Sequence, residues 1–141
     1  MAITLYHFTK PEHWEQILKD GHLDPSWDYG GTVPAIVHTT DSPDPSTLPQ
    51  HHEVGRTIRF ELLLPEQQAH RWHTWGNRCL PPESFRSLGI PVWTPEDPAY
   101  LTQTNQESHR WYVVERRIPS TEWVRVTNAE TGAIIWPLPL G

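Results

Sequence analysis

The tetrapeptide Tyr6-His7-Phe8-Thr9 puts an imidazole and a hydroxyl at the end of an otherwise apolar run, Ile3 to Phe8. An imidazole in that position can exchange a hydrogen bond with a ligand hydroxyl, and Tyr6 or Phe8 can stack on a flat heterocycle. The same residues also suit a structural role, with Tyr6 and Phe8 in a core, His7 a satisfied neighbour and Thr9 capping a helix. Two further groupings, His51-His52-Glu53 and His70-Arg71-Trp72-His73, carry metal-ligating atoms. A catalytic zinc needs about three protein ligands and an open position, and neither grouping has an HExxH arrangement, so no metal is expected. A GxSxG elbow is missing and Cys79 sits in an unremarkable connection, which sets hydrolase chemistry aside. Trp72, Trp75, Trp93 and Trp111, interleaved with Arg71, Arg78 and Arg110, have the chemistry to stack bases or hold a partner, and equally to anchor a core.

These side chains need a scaffold to converge. Ile3 to Phe8 reads as a strand. A helix follows, with Thr9 as N-cap, Pro11 in the first turn, Glu12 completing a capping box and Gly21 as its stop. Within it Trp14, Ile17 and Leu18 share one face, which should pack on the sheet. The stretch from His22 to Val33 is rich in turn formers and reads as a loop; Ala35 to Thr40 is a short strand, and the following proline- and acid-rich segment to Gly55 is a surface loop. Thr57 to Leu64 alternates Ile58, Phe60, Leu62 and Leu64 with polar residues, the pattern of a half-buried strand. Pro65 to Trp75 is expected to be a second helix and Pro82 to Gly89 to contain a third. His109 to Arg116 is a strand, and Glu122 to Val126 with Ala133 to Trp136 form a hairpin turning at Gly132. The expected fold class is α+β: a small mixed or antiparallel sheet with two to three short helices.

With 141 residues, a single domain spanning 1–141 is the default. There is no apolar run of membrane-spanning length, and the start MAITLYHFTK lacks the features of a signal peptide, so a cytoplasmic protein with no membrane partner is expected. One cysteine excludes an internal disulfide. A net charge of -6 with 11 Lys and Arg argues against non-specific nucleic-acid binding, which draws its affinity from basic side chains.

The order LYHFT, a helix ending ILKDGHL, then a loop and the strand IVHTTDSP resembles the N-terminal part of the ADP-ribosyltransferase-like superfamily, which includes DarT-like DNA-modifying toxins, rifampin-modifying enzymes and RNA 2′-phosphotransferases. The likeness covers about the first 45 residues. It implies that NAD is a substrate, that His7 contacts its ribose, and that Thr9, Tyr29, Thr39 and Thr40 border the same site, with Tyr29 or Tyr6 stacking on nicotinamide. It further implies a carboxylate near the start of a late strand. Glu107, in Asn105-Gln106-Glu107, is the choice, with Glu115 and Glu122 open as alternatives. The implied activity is transfer of ADP-ribose to a macromolecular acceptor, either protein or nucleic acid. Two other readings stay open: a non-catalytic binding or inhibitor protein on the same scaffold, and an RNA 2′-phosphotransferase-like enzyme, which would need arginines such as Arg59, Arg110 and Arg116 to converge on a phosphate.

Overall fold

Alternating side chains decide the sheet. In β4 (Ile58–Pro65), Ile58, Phe60, Leu62 and Leu64 are all buried while Leu63 is 48 % exposed, so one face of the strand is core and the other is not. β4 pairs antiparallel with β1 (Ala2–Thr9) along its whole length, from Ala2 opposite Pro65 to Thr9 opposite Ile58. Directly opposed residues point to the same side, so Leu5 and His7 lie on the face of Leu62 and Phe60. The computed structural model describes residues 1–25, 35–47, 55–79 and 109–137.

The remaining strands are β2 (His22–Leu23), β3 (Val37–Thr40), β5 (His70–Arg71), β6 (Trp111–Val114), β7 (Ile118–Pro119), β8 (Trp123–Asn128) and β9 (Ile134–Trp136). Among the described residues they form a seven-stranded sheet in the order β5-β6-β3-β1-β4-β8-β9 and a two-stranded β2-β7 ribbon. Their pairings are antiparallel. With two short α-helices among the described residues, α1 (Trp14–Asp20) and α2 (Trp72–Cys79), the fold is α+β, built on a mostly antiparallel sheet. No helix of the described residues is long and apolar enough to cross a membrane.

One core lies between the sheet, α1 and the β2-β7 ribbon. Trp14 meets Phe60 edge-on at 5.7 Å and Trp123 at 6.4 Å, while Phe60 and Trp123 make a T-shaped pair at 5.0 Å. Ile17, one helical turn from Trp14, joins the same cluster with Leu23 and Ile118. A second cluster backs the other side of β6. Trp72 stands edge-on to Trp111 at 5.2 Å, and Trp72, His73, Trp75, Trp111 and Val113 are each 2 % exposed or less. Burial holds His73 neutral, its pKa pushed down to about 4, with the charges of His109 and Arg71 adding to the effect. The indole of Trp111 donates to the Thr47 carbonyl at 2.6 Å, which ties the 45–47 turn to the sheet.

Two expectations about helices need correction. The chain does not form a capping box at Thr9, because the β1-β4 ladder keeps Thr9 extended opposite Ile58. Pro11–His13 is instead a single 3-10 turn that begins after Lys10 without a side-chain cap, and the α-helix starts only at Trp14. Nor is Pro65 to Trp75 one helix. Pro65 ends β4, Glu66–Gln68 is a 3-10 turn, and His70 and Arg71 pair with Val113 and Tyr112 before α2 begins. Edge pairing with β6 and burial of Trp72 and Trp75 override the helix preference of Glu66-Gln67-Gln68-Ala69. The expected helix within Pro82 to Gly89 lies outside the described residues.

Gly21 closes α1 with φ 75°, and its N–H donates to Ile17 O at 2.9 Å. A Cβ there would meet no atom within 4 Å, so the only obstacle to a side chain is the left-handed backbone. Gly21→Ala is expected to lower the unfolding free energy by about 1–2 kcal/mol, and Gly21→Asn by less. Urea titration measures both. An alanine variant as stable as the wild type would mean that this turn is not held in the left-handed region.

Candidate functional site

The polar end of β1 emerges where the core face runs out. Ile3 and Leu5 of that face are packed, then His7 and Thr9 continue the same side of the strand into a cleft of about 400 Å³. Its lining also takes His13, Gln16, Ile17 and Asp20 from the α1 region, His22, Leu23 and Asp24 from the β2 region, and Arg56 from the entry to β4. The volume is within the range of ordinary small-molecule sites, and the walls are more polar than most.

His7 is the most constrained polar group of the cleft. Its Nδ1 lies 2.8 Å from the main-chain oxygen of His38, on the neighbouring strand β3. A carbonyl only accepts, so Nδ1 carries the proton and donates it. Burial holds the ring neutral, with its pKa down to about 4; the His38 hydrogen bond opposes that shift and the Arg56 charge reinforces it. A neutral ring with a protonated Nδ1 has a free lone pair on Nε2. With Nδ1 donating, the other ring nitrogen of the neutral imidazole can only accept, and the ring's plane is set by β3 and braced by Phe60 at 6.1 Å.

The cleft's charges are distributed unevenly. Asp20 accepts from Gln16 Nε2 at 2.7 Å. Asp24 is 2.8 Å from Arg117 Nε, an exposed pair that joins the β2 rim to the segment entering β7, and 3.2 Å from His22 Nδ1, which makes no hydrogen bond. Arg56 is half-buried, and its NH1 donates to the Phe8 carbonyl at a long 3.4 Å. Among the described residues no carboxylate is within ion-pair distance of it. Burial lowers its pKa.

The other anticipated site residues are placed as follows. Thr9 lines the cleft beside His7. Thr39 is fully buried and its hydroxyl donates to the Tyr112 carbonyl at 3.0 Å; the Thr40 hydroxyl is 3.0 Å from that of Thr47, on the opposite side of the sheet. Neither threonine belongs to the cleft lining. Glu122 makes a two-pronged pair with Arg116 at 2.7 and 2.9 Å, and Glu115 lies 3.4 Å from His70 at the β5 edge, so both acids are engaged away from the cleft. Tyr29, Glu107 and His51-His52-Glu53 lie outside the described residues. Among the described residues no group of three or more His, Cys, Asp or Glu side chains is disposed to hold a metal ion.

Sequence reasoning missed Arg56, as well as Gln16, Asp20 and Asp24. The arginines singled out instead are occupied elsewhere: Arg59 on the Pro43 carbonyl, Arg110 on Asp41, Arg116 on Glu122. The one available signal was local, an Arg directly after Gly55 and just before a strong strand. Its convergence on the far end of β1 follows only from the β1-β4 register. Compared with known proteins, the chain matches no protein-family model and no curated sequence.

The neutral state of His7 has a consequence for stability. A histidine whose folded pKa is near 4 and whose unfolded pKa is near 6.5 binds more protons when unfolded throughout that interval. Stability should therefore fall as pH is lowered from 6.5 toward 4, by up to about 1.4 kcal/mol per pH unit for each such ring. His7→Asn retains an N–H donor for the His38 carbonyl but does not titrate there. Unfolding free energies at pH 6.5, 5.5 and 4.5 are expected to fall less steeply in this variant, by close to one proton's slope; parallel curves would refute a neutral His7.

Proposed function

We propose that this chain is an NAD-dependent ADP-ribosyltransferase-like enzyme that transfers ADP-ribose to a macromolecular acceptor, protein or nucleic acid. The observation that carries the reading is His7. It is a neutral imidazole lining the cleft at the end of the first strand, locked through Nδ1 so that its other ring nitrogen can only accept. A ribose hydroxyl is a donor of the right kind, and fixing it fixes the sugar ring that must react. The resemblance of residues 1–45 to the superfamily supplies the chemistry.

In that reaction the bond between ribose C1′ and the nicotinamide nitrogen breaks, and nicotinamide leaves with the bonding electron pair as a neutral base. A new bond forms between C1′ and the acceptor nucleophile, whose proton passes to a base. The sugar passes through an oxocarbenium-like state, in which positive charge builds on the ring and a nearby carboxylate lowers the barrier. Glu107 is the acid assigned by the resemblance, and Asp20 and Asp24 are carboxylates of the cleft itself. His7 orients rather than protonates, as its low pKa keeps it uncharged at neutral pH.

Nicotinamide release from NAD by the purified protein, with and without cell lysate, tests the proposal. Release is expected in the wild type, with a fall of about 100-fold or more in His7→Ala, as is usual when a positioning group is lost. Glu107→Gln, Asp20→Asn and Asp24→Asn then identify the carboxylate by which one abolishes turnover. A protein that neither binds NAD nor releases nicotinamide under either condition would overturn the assignment and leave a non-catalytic binding domain.

A further inference from the structure

Three histidines line the cleft, His7, His13 and His22. His7 is tied through Nδ1 to the His38 carbonyl, and burial keeps its ring from taking a proton until about pH 4. His13 stands exposed on the 3-10 turn, with no carboxylate within ion-pair distance of it among the described residues. His22 is placed differently. Its Nδ1 is sealed from solvent 3.2 Å from Asp24 Oδ1, close enough for a hydrogen bond yet not aligned for one, and it has no other partner among the described residues. The side chain is 25 % exposed, and that exposure lies on its other atoms. The backbone beneath the pair is held on both sides: His22 and Leu23 pair with Pro119 and Ile118, and the Ser120 N–H donates to the Gly21 carbonyl at 2.9 Å. Asp24 in turn meets Arg117 Nε at 2.8 Å.

A buried ring nitrogen without a partner carries a free-energy cost, and acid–base pairs are one place where folds retain it, because their hydrogen bonds are often misaligned until a substrate is present. An ionised carboxylate only accepts, so completing this contact requires the proton on Nδ1, which leaves the lone pair on Nε2. We infer that His22 is the base of the proposed transferase, with Asp24 the positioning residue that fixes its tautomer and balances the imidazolium it becomes. The inference rests on the transferase reading and assigns a step which that reading leaves open, the fate of the acceptor's proton. As the C1′–nitrogen bond breaks and nicotinamide leaves with the electron pair, a lone pair of the acceptor's hydroxyl or amine bonds to C1′, and its proton passes to Nε2 of His22. The imidazolium then gives that proton to water, and the pair is restored. The cleft thus divides its imidazoles, one fixed and uncharged, the other free to cycle.

With NAD as substrate and water as acceptor, His22→Ala is expected to lower kcat for nicotinamide release about 100-fold with little change in KM, and added imidazole to recover part of the loss, as a free base can act in the vacated space. A kcat that is unchanged, or lost beyond recovery by imidazole, would overturn the assignment and leave the transferase reading intact. Diethyl pyrocarbonate, which acylates unprotonated imidazole, probes the pair without NAD, with the modified residues located by mass spectrometry. His22 should react at least as fast as the exposed His13, and Asp24→Asn should slow it by about 10-fold while leaving His13 unchanged. Unfolding midpoints show that each variant is folded. Asp24-dependent reactivity of His22 without any nicotinamide release would sustain the acid–base pair while the transferase reading fails. A His22 slower than His13, or indifferent to Asp24→Asn, would overturn the inference even where NAD is turned over.

Discussion

Ala2 to Thr9 pair residue for residue with Pro65 to Ile58, and this register decides which side of every neighbouring strand meets the core. Because opposed residues share a face, the buried set Ile58, Phe60, Leu62 and Leu64 pulls Leu5 inward and carries His7 and Thr9 along on the same side. A slip of one residue would send His7 to the side of Tyr6 and bring Tyr6 and Phe8 to the core face. The position of the histidine is thus bought by hydrophobic burial several residues away. The cleft itself contributes little to it.

The second consequence of that register is electrical. β3 lies on the other side of β1, and the His38 carbonyl it presents accepts the Nδ1 proton of His7. A ladder between strands thereby selects a tautomer, with no carboxylate needed to orient the ring. Of the cleft's acids, Asp24 is ion-paired to Arg117 beside the β2-β7 ribbon, while Asp20 accepts a hydrogen bond from the neutral amide of Gln16 along its own helix.

How far the sequence disclosed this depended on the distance over which each feature is decided. The alternation in Ile58 to Leu64, the stop at Gly21 and the turn at Gly132, with φ 77°, are local and were legible. Of the expected stripe Trp14, Ile17 and Leu18, helical spacing puts the first two against the core, Trp14 on Phe60 and Trp123, whereas Leu18 is half-buried and is not part of that cluster. Thr9 misled, because a capping signature is also local and here the strand ladder claims the residue first. Thr39 and Thr40 look like a pair in sequence, but a strand turns adjacent residues to opposite faces, and both hydroxyls are consumed internally. Arg56 was invisible for the opposite reason: its neighbour in space, the end of β1, is set by a pairing that no short window contains.

The β2-β7 ribbon joins His22 and Leu23 to Pro119 and Ile118, and Arg117 beside it holds Asp24 on the rim of the cleft. Contacts this far apart in the chain carry a large loop-closure cost and tend to consolidate late. During synthesis, the first strand and α1 leave the ribosome long before residues 117–119 exist. A nascent chain of that length has its histidine but lacks the segment that meets the cleft rim, so the cleft is completed only after residues 117–119 have been made.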